Sequence, residues 1–179
     1  LVVTQQHLKH FRYVMSENPV TMFAFSLFAL IVFLAIFGPL ITPHDPLATN
    51  ATNTLKPPSW NHAFGTDHLG RDVFSRVIAA TRLDLGIAVS AVALSFFIGG
   101  ALGCIAGFWG GWTDRIVGRF SDTIMAFPLF VLAMGIVASM GNTVENIIYA
   151  TAIINLPFYA RVARAETSIR RNAGYVYAA

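Results

Sequence analysis

Charge is what this chain has least of. Only 12% of its 179 residues are Asp, Glu, Lys or Arg, against about 25% in a soluble globular domain, while 55% are apolar. That balance excludes an ordinary water-soluble domain and points to a protein whose solvent is lipid. Cysteine is nearly absent. Cys104 is alone, which excludes an internal disulfide, and its place in an apolar run reads as a small buried hydrophobe. Lysine is limited to Lys9 and Lys56. A net charge of +3 could suggest nucleic acid, but the arginines stand at the ends of apolar runs, which is the pattern of membrane topology and not of a basic binding face. No nucleic-acid partner is expected; membrane lipid is.

Signatures of catalysis are missing too. The chain has no G-x-x-x-x-G-K-[ST] loop for nucleotide phosphates, no G-x-S-x-G elbow and no H-E-x-x-H pair. His62, Asp67 and His68 lie close in the chain, but their spacing matches no familiar ligand set. The sequence therefore predicts no catalytic residue, no cofactor and no metal.

What is present is four apolar runs. Residues 20–42 carry no charge, follow Asn18-Pro19 and end at Pro43; at about 1.5 Å per residue they cross a hydrocarbon core of about 30 Å. Lys9 and Arg12 precede this run, which is too long for the apolar part of a cleavable signal. Residues 85–113 form a second charge-free run, with Trp109 and Trp112 suited to the interface. A third covers residues 123–140, and a fourth, short one covers 146–160. Residues 43–60, rich in Pro, Thr and Asn, read as an extended loop. Residues 64–84 mix Arg71, Arg76, Arg82, Asp67, Asp72 and Asp84 with Val73, Phe74, Val77 and Ile78, which predicts an amphipathic helix leading into the second span. With the N-terminus cytoplasmic, Lys9, Arg12, Arg115, Arg119, Arg161, Arg164, Arg170 and Arg171 fall inside and only Lys56, Arg71, Arg76 and Arg82 outside; this orientation satisfies the positive-inside rule.

The second run holds a stripe of small residues at every fourth position: Ala91, Ser95, Gly99, Gly103, Gly107 and Gly111. Glycine costs a helix interior about 1 kcal/mol relative to Ala, so the stripe predicts close backbone approach of another helix. Pro128 and Pro157 are candidate kinks. Asn155, polar within the fourth run, is expected to hydrogen-bond a neighbouring helix or to face a polar pathway.

Several blocks carry a family likeness. FGTDHLGRDVFSRVIAATR (64–82), AGFWGGWTDRIVGRFSDTIMAFP (106–128), ARVARAE (160–166) and YVYAA (175–179) stand in order across most of the chain. Together they resemble the dipeptide/oligopeptide/nickel permease family of ABC importers. The resemblance implies an all-α polytopic membrane fold of six spans, four of them in this chain, in the bacterial cytoplasmic (inner) membrane. It divides the chain into an N-terminal region, residues 1–63, and a permease domain, residues 64–179. It also implies a homologous permease subunit, two ATPase subunits and an extracytoplasmic solute-binding protein as partners, and peptides, nickel chelates, glutathione or related solutes as cargo. The loop toward the ATPase would include Glu166, Gly174, Tyr175, Tyr177, Ala178 and Ala179. Tyr177 stands where the family has Glu, and the Gly of the loop motif and two further spans would lie past Ala179. On this basis residues 161–179 are expected to be poorly held and the chain alone inactive in transport. The competing expectation, a secondary transporter or channel subunit without an ATPase, requires ionisable residues inside the spans, and none lies between their ends.

Overall fold

The structure is a computed structural model; it describes residues 18–171 and residue 173. These fall into two units, Leu1–Leu85 and Gly86–Ala179. Among the described residues the regular structure is helical, with one isolated bridge between Thr66 and Asp72.

In the first unit, α1 spans Pro19–Ile41. Its ends follow from local chemistry. Asn18 accepts hydrogen bonds at its side chain from the amides of Val20 (3.1 Å) and Thr21 (3.4 Å), and Pro19 occupies the first helical position, where a missing amide costs nothing. At the other end the Thr42 amide donates to the Gly38 carbonyl at 3.0 Å, and Pro43 blocks continuation. Only Ala35 and Gly38 are buried on α1. Gly38 lies against Ile78, whose Cγ2 would stand 2.8 Å from an added Cβ. The rest of the helix presents Val20, Phe23, Phe28, Ile36 and Leu40 outward, as a helix does when lipid surrounds it.

The segment after α1 is folded, not extended. Polar side chains bond the backbone instead of letting it run straight. Asp45 Oδ1 accepts from the Leu47 amide at 2.8 Å. Asn50 caps a 3-10 turn, Ala51–Asn53. The Asn50 amide reaches the Leu69 carbonyl at 3.1 Å, and the Leu55 amide the Asp67 carbonyl at 3.1 Å.

Helix α2 spans Val73–Trp109. From Val73 onward the amphipathic segment and the second apolar run are thus one helix; no proline interrupts residues 73–109, and the Gly99–Gly100 pair stays helical. It stops at Gly110 and Gly111, whose φ values of +64° and +54° break helical geometry in a region that favours glycine. The apolar run continues in sequence to Thr113, but Thr113 already belongs to α3, Gly111–Met125.

In the second unit, α3 is followed by α4, Leu129–Met140, after a bend of 94°. The predicted third span, residues 123–140, is therefore not a single straight helix. Pro128, the N-cap of α4, removes an amide at the bend. Helix α5, Val144–Arg171, packs on both α3 and α4. By length and apolarity α1 and α2 can cross a membrane, and the bent α3–α4 pair makes a third crossing if it counts as one. The fourth run lies in α5, which continues through a charged C-terminal portion.

Candidate functional site

The built feature of the second unit is the seam between α2 and α5. Ser95, 1% exposed, sets its register. Its hydroxyl lies 2.7 Å from the Ala91 carbonyl of its own helix and 2.9 Å from the Ala152 carbonyl of α5. Four residues on, a Cβ on Gly99 would stand 2.6 Å from the Leu156 carbonyl oxygen. A Cβ on Gly103 would collide with the Ala160 carbonyl, and one on Gly107 would lie 2.6 Å from the Arg164 carbonyl. Each of these pairs is separated by 57 residues, as Ser95 and Ala152 are. Constant separation means that the two helices run parallel and in step. The glycines bring Cα hydrogens against carbonyl oxygens, a weak contact that recurs at close helix crossings. Phe96 and Tyr159 flank the seam edge-to-face, with centroids 5.9 Å apart.

Gly111 is not part of the seam. It begins α3 and a Cβ there would meet nothing within 4 Å. Pro157 lies inside α5, fully buried, where it removes one amide from the helix ladder. Asn155 bonds within its own helix, its Nδ2 donating to the Thr151 carbonyl at 2.9 Å, and among the described residues it makes no hydrogen bond to a neighbouring helix. Cys104 is exposed, not buried. It lines a groove of about 540 Å³ with Phe108, Ala163, Glu166, Thr167, Arg170 and Arg171.

The basic end of α5 is better held than its composition suggests. Residues 161–171 continue the helix. Arg164 Nη2 donates to Asp114 Oδ2 at 2.6 Å, and Asp114 sits in the first turn of α3, where a helix favours negative charge. Arg171 Nη1 donates to the Phe108 carbonyl at 2.9 Å, closing one of the orphan acceptors at the end of α2. Arg161 Nη2 lies 3.7 Å from Asp122. The expectation of a poorly held segment fails for residues 161–171 because the ends of α2 and α3 supply acceptors that lie about fifty residues away in the chain. Glu166 is exposed and pairs with Arg170 at 3.2 Å. Gly174, Tyr175, Tyr177, Ala178 and Ala179 lie outside the described residues.

In the first unit, two carboxylates organise the turn before α2. Asp67 accepts from the amides of Leu69 (2.8 Å) and Arg71 (3.0 Å) and from Arg71 Nε (2.8 Å), with Arg76 Nε at 3.6 Å. Partial burial works to raise its pKa, but the Arg71 and Leu69 hydrogen bonds outweigh it and hold the carboxyl down at about 2. Asp72 caps α2, accepting from the Ser75 amide at 2.8 Å, and lies 3.0 Å from His62 Nδ1. Burial pushes this carboxyl up too, yet the bonds from Ser75 and His62 and the nearby His44 leave it below the usual carboxylate range.

Comparison with known proteins gives two family-model matches. Residues 8–58 match the N-terminal TM domain of oligopeptide transport permease C. Residues 99–179 match the binding-protein-dependent transport system inner membrane component. Among curated relatives, the probable D,D-dipeptide transport system permease protein of Escherichia coli (strain K12) is 37% identical, over 93% of this chain and 56% of the relative. The oligopeptide transport system permease protein of Bacillus subtilis (strain 168) is 36% identical over 90% and 53%. A glutathione transport system permease protein of Pectobacterium atrosepticum is 36% identical over 84% and 50%. The chain spans about half the length of the curated relatives it matches.

Proposed function

The chain belongs to the family of binding-protein-dependent transport system inner membrane components, and we propose that it forms part of the translocation pathway of a bacterial ABC importer for peptides or related solutes such as glutathione or nickel chelates. In this reading α1, α2, the bent α3–α4 pair and α5 are four crossings of the inner membrane, and the N-terminus is cytoplasmic. The arginines of α3 and of the end of α5 then lie inside, as the positive-inside rule favours. A homologous permease subunit completes the pathway, two ATPase subunits supply ATP hydrolysis and an extracytoplasmic binding protein delivers the solute.

One observation carries the coupling role. Helix α5 is unbroken from the buried seam at Leu156 and Ala160 to the basic end at Arg171. A push at residues 161–171 would therefore be transmitted along the helix into the seam, whose glycines leave little slack. The element that faces the ATPase in this reading takes Glu166 from the end of α5 and continues through Gly174, Tyr175, Tyr177, Ala178 and Ala179. Pro128 and Pro157 are the positions where the crossing helices yield, and Asn155 lies beside the pathway.

Co-expression with the neighbouring ATPase and permease genes tests this. The expected result is co-purification through the segment after α5, and peptide uptake in vesicles that requires ATP. Uptake driven by an ion gradient without ATP would replace this reading with that of a secondary transporter or channel.

A further inference from the structure

The turn before α2 gathers three metal-ligating side chains that take no part in the seam. His44, His62 and Asp72 each offer one donor atom, and these atoms all lie within 4.8 Å of one another. His62 Nδ1 is 3.0 Å from Asp72 Oδ1, and His44 Nδ1 is 4.0 Å from Asp72 Oδ2. The two imidazole rings lie 4.8 Å apart, tilted by 34°. His68 and Asp67, nearer in sequence to His62, do not join them. Asp67 is taken by Arg71 and Arg76, and His68 is exposed.

The charge arrangement is unusual. The Asp72 side chain is 1% exposed, yet among the described residues its ion-pair partners are His44 and His62, not a Lys or Arg. A buried charge is ordinarily paired or coordinates a metal. We infer that His44, His62 and Asp72 form a binding site for a divalent transition-metal cation of borderline softness, zinc being the reference case.

The geometry is close to what such an ion needs. Ligand atoms about 2.0–2.1 Å from a tetrahedral zinc lie roughly 3.3 Å from one another. The His62–Asp72 edge is already near that length. His44 has to move inward by about 1 Å, and its side chain, 41% exposed, is free to rotate. Two imidazole nitrogens and one carboxylate oxygen suit zinc, copper, nickel or iron, not magnesium or calcium. The exposed side of His44 leaves a fourth position for water or for a ligand carried by the ion.

The test is zinc titration of the tag-free chain, stripped with chelator, in detergent. One zinc per chain is expected. His44→Ala should weaken binding at least tenfold while leaving helicity by circular dichroism unchanged, since that side chain is half out in solvent. A His7→Ala/His10→Ala/His68→Ala chain should bind as the parent does. Magnesium in large excess should not compete. Because His62→Ala removes a contact of the α2 cap, cobalt absorption provides the second readout: a d–d band in the parent, lost in His44→Ala. Absence of stoichiometric zinc, or His44→Ala binding as tightly as the parent, overturns the site.

Discussion

The turn before α2 and the seam between α2 and α5 are built on opposite principles. Before α2, charged and polar side chains reach inward and fasten the backbone: Asp67 gathers Leu69 and Arg71, Asp72 gathers Ser75 and His62. Between α2 and α5, side chains are removed so that backbone meets backbone, at Gly99, Gly103 and Gly107. The first device suits a turn in contact with water, where each carboxylate can be drawn below its ordinary pKa by donors. The second suits helices in lipid, where no hydrophobic force separates lipid from leucine and close approach has to supply the attraction.

Substitutions can separate the two devices. The largest effect is expected at Gly103. Leucine there drives a Cβ into the Ala160 carbonyl, a backbone atom that cannot rotate away. The loss should reach about 3 kcal/mol or more, read as a lower melting temperature in detergent. Gly100→Ala, one turn away with nothing within 4 Å, should instead be neutral or stabilising by about 0.5–1 kcal/mol. Equal losses at both would show that the seam is not what holds the helices.

Asp72→Ala should cost about 2 kcal/mol, from the lost cap of α2 and the unpartnered His62. Hydrogen exchange should rise in residues 62–76 and stay unchanged at residues 99–107. Ser95→Ala, which removes the side-chain bond from Ser95 to the Ala152 carbonyl, is expected to cost about 1 kcal/mol, visible as a small shift in the same melt.

The smallest effect is one of pH. The Asp67 carboxyl is depressed from 3.8 to about 2, so its contribution is fully present above pH 3.8 and is lost as pH falls toward 2. Exchange in the turn should rise in that acid window. Asp67→Asn should weaken that pH dependence, leaving the part that comes from Asp72.

Much of this was legible in the residues. Asn18-Pro19 and Thr42-Pro43 bracket a charge-free run, and α1 ends within a residue of them. The four-residue stripe announced a close helix contact. What could not be read was anything that depends on a second segment. The partner of Gly103 is a carbonyl 57 residues on, and nothing in the composition of α5 marks it. Asp114 and Arg164 meet only because α3 folds back from the glycine pair at 110–111. His44 joins His62 and Asp72 because the loop between them closes on itself. The bend at Pro128 shows a partial limit: the proline marks a candidate kink in the sequence, but the 94° size of the bend belongs to the backbone geometry. The pairing of chemistry with distance is a property of the fold, whereas the runs and stripes are properties of the chain.

The seam repeats itself every four residues on both helices. Sliding α5 along α2 by one repeat, about 6 Å, would put each glycine under the next carbonyl and leave most contacts equivalent. The repeat therefore says that the helices touch, but hardly says where along their length. That information is stored at its two ends, in the Ser95–Ala152 bond and in the grip of Arg171 on Phe108. Two hydrogen bonds act as the index marks on a ruler that is otherwise unnumbered.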